Sequence, residues 1–263
     1  MISLVIAGGG KMGEALLTGL LRGEWASPEE IAVSEPDADR RAVLEARFPG
    51  VVVRATPVET DGAIVAVKPG YVTDACEALA AAGCRRVLSI AAGVPTPTIE
   101  SALRAGTPVV RAMPNTPALV GAGAAAIAGG AAATDADLAW AESILAAVGI
   151  VVRVPEALLD AVTGLSGSGP AYVFLVAEAM IAAGIGVGLA ADVARQLAIQ
   201  TIVGAGRMLA ETGDSPEDLR AAVSSPNGTT VAGLAVLDER RVRDAFAAAI
   251  RRATERSREL GQS

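Results

Sequence analysis

The run Ser224–Thr230 carries hydroxyls, a glycine and free backbone amides where a helix is expected to begin. Such a helix start binds small anions, because its first amides have no partners within the helix and its dipole is positive there. The surrounding stretch is rich in Ala, Leu and Val, so the polar run stands out. It predicts a site for a small anion. The candidate contacts are Ser225, Asn227, Gly228, Thr229 and Thr230.

A second chemical motif follows the first apolar run of the chain. Residues 8–13 read Gly-Gly-Gly-Lys-Met-Gly and contain the pattern G-x-G-x-x-G. Its glycines permit a tight turn, close approach of a pyrophosphate to the backbone and close helix packing. The motif predicts dinucleotide binding, although the pattern alone also fits a flexible turn. The expected cofactor contacts in this loop are Gly8, Gly10, Lys11, Met12 and Gly13.

The end of the second predicted strand is where such a domain distinguishes its two nicotinamide cofactors. Glu35 favours NADH, because a carboxylate accepts hydrogen bonds from a free ribose diol and repels a 2′-phosphate. Ser34, Arg40 and Arg41 favour NADPH instead. A solvated Glu at a strand end is a third interpretation. We expect Ser34 and Glu35 to contact the cofactor and leave the choice between NADPH and NADH open.

Three further turns follow predicted strands, at the edge where open parallel sheets bind ligands. Lys68 is one of only two lysines, and we expect it beside the cofactor rather than on bare surface. Small residues after the next strand let a flat ring lie against the backbone. The cofactor contacts expected from these turns are Val67, Lys68, Pro69, Ala91, Ala92, Gly93 and Asn115.

The elements that would position these residues fall into two halves. Short Val, Ile and Ala runs alternate with amphipathic stretches through about residue 153, which predicts a parallel sheet with helices on both faces. Beyond Pro155 the strand signals stop and the pattern is helical. We therefore expect an α/β, Rossmann-type dinucleotide-binding domain over 1–154, followed by an all-α domain over 155–263.

The boundaries of these elements follow from the apolar periods. The predicted strands are Ile2–Ala7, Ile31–Ser34, Ala63–Val67, Arg86–Ile90, Val109–Ala112 and Ile150–Val154, and the helices between them include Met12–Leu21, Ala38–Arg47 and Asp135–Val148. The predicted helices of the second half are Ala157–Val162, Pro170–Ala183, Ala190–Glu211, Pro216–Val223 and Thr229–Arg258.

Composition argues against several kinds of partner. The 263 residues are 52% hydrophobic, which suffices for the cores of one or two domains. A net charge of -7 and a pI near 4.8 argue against a nucleic acid or an anionic membrane. With no histidine and only two cysteines, Cys76 and Cys84, the usual metal-ligand sets are lacking and no metal is expected. A small molecule is the expected partner.

Two apolar segments bear on location. The N-terminal run Met1–Ala7 lacks a basic flank and is expected to be a buried strand rather than a signal peptide, which favours a cytoplasmic protein. Val173–Ala191 is almost long enough to cross a bilayer, but three glycines interrupt it and no basic flank follows. We expect no membrane span, and a helix buried between subunits instead.

Together these motifs resemble the pyrroline-5-carboxylate reductase family. The family's two distinctive marks are the Leu-Ser-Gly-Ser-Gly-Pro-Ala-Tyr turn, here at 165–172, and the Val-Ser-Ser-Pro-x-Gly-x-Thr run, here at 223–230. Ala-Val-Lys-Pro at 66–69 and Arg-x-Met-Pro-Asn at 111–115 are also similar. Two features depart from the family: the loop at 55–60 lacks an Asn that often helps to hold the adenosine end, and Ala222 replaces an Asn.

The resemblance implies reduction of 1-pyrroline-5-carboxylate to L-proline with NADPH or NADH. It implies that Val67 and Lys68 contact the cofactor and that Glu156 lies beside the substrate, although an acid at a helix start also has a purely structural explanation. It implies that Ser225, Gly228, Thr229 and Thr230 hold the substrate carboxylate. It further implies an obligate homodimer built through the helical domains, sometimes assembled into a decamer.

The expected chemistry explains the lack of histidine. The imine can arrive with its nitrogen protonated, so the protein mainly positions the reactants. Thr230 then orients the ring nitrogen or acts as a general acid. Two alternatives are weaker: a β-hydroxyacid dehydrogenase needs a lysine in its helical domain, yet none follows Lys68, and a nucleotide-sensing dimer has no need of the polar run at 225–230.

Overall fold

The computed structural model describes residues 1–261, which form two compact units. The first unit comprises Met1–Ser168 together with the chain from Arg251 onward, and the second is Gly169–Ile250. The first packing unit extends past the predicted boundary at 154, because Leu159 is buried against the sheet residues Ala126 and Ala128. The assignment of a cofactor domain and a substrate domain stays a prediction.

The first unit is built on one eight-stranded sheet with the order β3-β2-β1-β4-β5-β6-β7-β8. Strands β1 to β6 run parallel, whereas β7 pairs antiparallel with β6 and parallel with β8. The strands are β1 Leu4–Ala7, β2 Ile31–Ser34, β3 Val52–Arg54, β4 Gly62–Val65, β5 Val87–Ser89, β6 Val109–Met113, β7 Gly123–Gly129 and β8 Gly149–Arg153.

Helices cover both faces of the central strands. Strands β1, β2 and β4 are buried along their whole length, as expected for parallel strands that carry apolar residues on both sides. The first helix buries a stripe of leucines, Leu16, Leu17 and Leu20, against one of these faces. The helices of this unit are α1 Lys11–Arg22, α2 Ala38–Arg47, α3 Val72–Ala82, α4 Thr96–Ser101, α5 Asp135–Leu145 and α6 Leu159–Val162.

The predicted Rossmann-type sheet is confirmed, but its last two strands correct the expectation of a wholly parallel sheet. Strand β7 was not predicted, because its sequence Gly-Ala-Ala-Ala-Ile-Ala-Gly consists, apart from Ile127, of residues with low strand propensity. Pairing with β6 and β8 overrides that local preference. Strand β7 holds the turn that follows β6, because the Ala124 amide donates a hydrogen bond to the Asn115 side chain in that turn.

The second unit is entirely helical. Its helices are α7 Gly169–Gly186, α8 Ala191–Glu211, α9 Pro216–Ala222 and α10 Thr229–Glu239, and α11 Val242–Gly261 begins in this unit and ends in the first. The single helix predicted over Thr229–Arg258 is wrong. The chain breaks at Arg241, which adopts a left-handed φ of 54° between α10 and α11.

The helices of the second unit bury little of their apolar surface within the chain. No residue of α7 or α10 is buried, and α8 buries only Ala194 and Ala198. The helical stretch Glu156–Gly186 has 31 residues and a mean hydropathy of 1.5, and is by length and composition able to cross a membrane. We therefore expect a partner to cover the apolar surface of this unit.

Candidate cofactor and substrate sites

The glycine-rich loop fits a pyrophosphate for steric reasons that differ from one glycine to the next. Gly8 has a φ of 104°, and a Cβ there would lie 2.7 Å from the carbonyl oxygen of Ala66. A Cβ on Gly13 would collide with the carbonyl oxygen of Gly8. At Gly10, which precedes α1, a Cβ would meet nothing within 4 Å. The loop is thus closed against the protein and open at the helix N-terminus, where a phosphate binds.

A cavity of about 620 Å³ adjoins this loop at the carboxyl ends of the strands. The predicted contacts that line it are Gly8, Gly10, Ser34, Glu35, Val67 and Lys68. Thr56, Tyr71 and Asp74 also line it and were not predicted as site residues. The position of Tyr71 and Asp74 at the start of α3, directly after the predicted Lys68 turn, was the available signal.

The other predicted contacts of the glycine loop and the Lys68 turn directly follow, in the sequence, residues that line this cavity. Lys11, Met12 and Gly13 form the first turn of α1, and Pro69 begins a short 3-10 turn after Lys68. Their contacts with a cofactor stay predictions, as do those of Ala91 and Ala92.

Glu35 directs its carboxylate at the backbone of the glycine loop. Its Oε2 accepts a hydrogen bond from the Gly9 amide at 2.9 Å, and its Oε1 accepts one from the Asp37 amide at 3.0 Å. The Arg40 Nε donates to the Gly9 carbonyl at 2.6 Å. The Arg41 Nη1 donates to the carbonyl oxygens of Glu35 and Pro36. Glu35 and Arg40 therefore hold the glycine loop, whereas Arg41 holds the turn that follows β2.

Glu156 holds the segment that follows the Ala91–Gly93 turn. Its Oε1 accepts hydrogen bonds from the Thr96 amide at 2.8 Å and from the Arg111 Nη1 at 3.1 Å, and its Oε2 accepts one from the Thr96 hydroxyl at 2.6 Å. Burial alone would raise the pKa of Glu156, but the hydrogen bonds from Thr96 and Arg111 outweigh it and lower that pKa. The carboxylate is therefore ionised and serves as a cap for α4.

Arg111 is the partner that sequence reasoning missed. It lies inside strand β6 and its side chain is 10% exposed, so it needs an acidic partner. A charged residue within a buried strand was the available signal. Arg111 also lines a cavity of about 170 Å³ with Gly93, Asp160 and Arg258. Gly93 contacts the end of α11, since a Cβ there would lie 3.6 Å from the Leu260 Cβ.

Asn115 makes structural contacts with both ends of its side-chain amide. Its Oδ1 accepts a hydrogen bond from the Ala124 amide at 2.9 Å, and its Nδ2 donates to the Ser166 carbonyl at 3.1 Å. The side chain thus ties the turn after β6 to the start of β7 and to the Thr163–Gly167 π-helical turn. Its predicted contact with the cofactor stays a prediction.

The polar run of the second unit forms the turn that begins α10. Gly228 is the N-cap of α10, with Thr229 and Thr230 as its first residues, and Asn227 takes a left-handed φ of 59°. Gly228 is required there, because a Cβ would lie 2.9 Å from the Ser225 carbonyl oxygen and closer still to its hydroxyl. Within residues 1–261, the hydroxyls of Ser225 and Thr230 accept no protein hydrogen bond. The predicted anion cradle is therefore a helix start with two unbonded hydroxyls, although the Gly228 amide already donates to the Ser225 carbonyl at 2.9 Å.

In the part of the chain that the structure describes, no group of three or more His, Cys, Asp or Glu residues is arranged so that it could hold a metal ion. The two cysteines are both buried and free. Burial raises the pKa of Cys76 to about 12, and Cys84 adds to that rise. These thiols are therefore inert at neutral pH rather than nucleophiles.

Two family models match the chain. The model for pyrroline-5-carboxylate reductase dimerisation matches residues 156–260, and the model for NADP oxidoreductase, coenzyme F420-dependent, matches residues 3–93. Among curated relatives, the pyrroline-5-carboxylate reductase of Synechocystis sp. is 44% identical over 99% of both chains. The pyrroline-5-carboxylate reductase of Methanosarcina acetivorans is 46% identical over 97% of this chain and 96% of its own.

Solved structures agree with these sequence relatives. A pyrroline-5-carboxylate reductase from Coxiella burnetii superposes with a TM-score of 0.93 at 35% identity, over 100% of this chain and 99% of that one. The pyrroline carboxylate reductase of Plasmodium falciparum, solved with NADP bound, superposes with a TM-score of 0.85 at 26% identity, over 99% of this chain and 98% of that one.

Proposed function

The chain belongs to the pyrroline-5-carboxylate reductase family, and from that premise we propose that it reduces 1-pyrroline-5-carboxylate to L-proline, the last step of proline biosynthesis, with NADPH or NADH. The observation that carries the assignment is the combination of an open glycine loop before α1 with a polar helix start at α10. The first fits a dinucleotide and the second a small carboxylate.

We propose that the cofactor lies in the cavity lined by the glycine loop, Ser34 and Lys68. The open space at Gly10 leaves room for the pyrophosphate, and the exposed Lys68 amino group lies at the strand edge where such ligands bind. A bound nicotinamide supplies the hydride for the reaction. The contribution of the chain is to hold the cofactor in one orientation and to exclude water from its reactive face.

We propose that the substrate carboxylate binds at Ser225–Thr230. The hydroxyls and first-turn amides of α10 bind it without a full positive charge, which would repel the protonated imine nitrogen. Thr230 orients the ring nitrogen or donates a proton to it. We propose that Glu156 affects the substrate only indirectly, because all its hydrogen bonds within the described chain go to Thr96 and Arg111. In this proposal it stabilises the start of α4 and the buried Arg111 rather than touching the ring.

We propose that the functional form is a cytoplasmic homodimer, with a decamer built from five such dimers as its larger assembly. The exposed apolar side chains of α7 support the dimer, among them Phe174 and Leu175 at 60% and 64% exposure. The match of residues 156–260 to a dimerisation model supports a second copy, rather than a membrane, as the partner that covers them.

The test is the dependence of NADPH and NADH oxidation on added 1-pyrroline-5-carboxylate, with L-proline identified as the product. Initial rates with both reduced cofactors give the preference. The control substrate is 1-pyrroline, which has the same imine without the carboxylate and should react with a much higher KM. Cofactor oxidation that is independent of the imine would contradict the proposed function, and equal KM values for the two imines would contradict the carboxylate cradle.

A further inference from the structure

The second residue of the loop, Gly9, is fixed more firmly than its place in the motif requires. It occupies a variable position of G-x-G-x-x-G, yet it is buried. A Cβ there would lie 2.5 Å from the Leu44 Cδ1 and 3.3 Å from the Glu35 Oε2. A larger residue here would force the buried Leu44 side chain to shift.

Both polar groups of Gly9 are held by side chains from that segment. The Glu35 carboxylate accepts from its amide at 2.9 Å, and the Arg40 guanidinium donates to its carbonyl at 2.6 Å. Hydrogen bonds with a charged partner are roughly twice as strong as neutral ones. The two contacts therefore fix both peptide groups that flank Gly9, and with them the neighbouring Gly8 and Gly10.

The clamp is itself held from the first helix. Glu14, in the first turn of α1, forms ion pairs with Arg40 and with Arg47 of α2. Its side chain is only 14% exposed and that of Arg40 is 29% exposed, so the pair with Arg40 is partly shielded from solvent. The guanidinium of Arg40 is thus shared between the Gly9 carbonyl and the Glu14 carboxylate, and little of its charge is directed at the cofactor cavity.

We propose that Glu35 and Arg40 are positioning residues, which hold the Gly9 peptides so that the loop is formed before a dinucleotide arrives. The inference rests on the proposed cofactor site. It differs from the sequence-based hypothesis that Glu35 selects NADH by binding a ribose diol. Both oxygens of Glu35 already accept backbone amides, so its loss should weaken both cofactors alike.

The experiment compares Glu35→Gln and Arg40→Lys with wild type by titration of NADPH and of NADH. In each variant we expect the Kd of both cofactors to rise by about tenfold, the effect of losing one charge-assisted hydrogen bond. Lysine keeps the charge of Arg40 but cannot reach Gly9 and Glu14 together. Glu45→Gln is the matched control, since Glu45 is exposed on the same helix and forms no ion pair within residues 1–261.

A second measurement reads the clamp without any cofactor. Hydrogen exchange of amides 8–13 in the free protein should become faster in both variants, while exchange in β1 and β4 and the Tm stay near wild type. Equal weakening of both cofactors with faster loop exchange supports the proposal. A changed ratio of the two Kd values, or loop exchange at the wild-type rate, overturns it. Failure of the wild type to bind either cofactor would instead contradict the proposed function.

Discussion

At the scale of single residues, the polar groups of the predicted sites are of two kinds: those already hydrogen-bonded within the chain and those that are not. The side chains of Glu156 and Asn115 form hydrogen bonds with other residues of the chain. The hydroxyls of Ser225 and Thr230 do not, as far as residues 1–261 show. A group that is already bonded holds the site in shape, whereas a free group at a helix start binds a ligand.

Thr230→Val should lower kcat/KM for 1-pyrroline-5-carboxylate about tenfold to a hundredfold, because the isosteric side chain removes the hydrogen bond that we propose Thr230 makes to the substrate. Cofactor Kd should not change. The control is Thr212→Val. The Thr212 hydroxyl lies at the end of α8 and donates to the Met208 carbonyl of that helix, away from the polar run at 224–230 in the sequence. Steady-state kinetics at wild-type values would contradict a role for Thr230.

Glu156→Gln should lower the Tm at neutral pH, and the difference from wild type should vanish as the pH falls. The pKa of this carboxyl lies below its ordinary value of 4.5, so its stabilising effect is complete above that value. The effect is lost as the pH falls through the lowered pKa. Thermal unfolding from about pH 8 to about pH 3 measures this. A Tm difference that is independent of pH would contradict it, and Glu45→Gln controls for the loss of a negative charge.

At the scale of elements, the loop between β1 and α1 combines close packing with one open position. Gly8 and Gly13 are glycines because the protein leaves them no room. Gly10 has room, and its φ of -70° suits any residue. The same motif therefore contains glycines that the fold requires and one, Gly10, that we propose leaves space for the cofactor.

Gly10→Ala should fold with an unchanged Tm and yet lose cofactor affinity about tenfold or more, because the added methyl occupies the approach of the pyrophosphate. Gly13→Ala is its matched counterpart and should lower the Tm as well, since its Cβ collides with the Gly8 carbonyl. Cofactor titration and thermal unfolding of both variants distinguish these effects. A Gly10→Ala protein that binds NADPH as well as wild type would contradict the proposed phosphate position.

Local signals were sufficient for most of this architecture and for the two motif loops. The run Leu4–Ala7 and the glycines after it form a strand, a turn and a helix start as predicted. The alanines of β7 gave no such signal, because only pairing with β6 makes them a strand. The partners of Glu156 also gave no local signal, since Thr96 and Arg111 lie 60 and 45 residues away along the chain. Long-range contacts of this kind are invisible to periodicity.

At the scale of the whole molecule, the second unit exposes more large apolar side chains than a monomer in water tolerates. A second copy is the proposed cover. Leu175→Glu should therefore shift the protein from dimer towards monomer, because a charge would be buried in the interface. Light scattering with size-exclusion chromatography measures the mass. Val43→Glu, at another exposed apolar side chain on α2, should leave the mass unchanged. A dimeric Leu175→Glu protein would remove α7 from the proposed interface.

The chain passes from the first unit into the second after Ser168 and returns at Arg251. The ribosome therefore releases the sheet strands long before the helix that completes their unit. Domains generally fold as their residues emerge, N-terminal part first. The contact between Gly93 and Leu260 closes only after the helical unit has been made. A nascent chain stalled before Arg251 should thus hold a formed sheet whose turn at Gly93 is still accessible to protease.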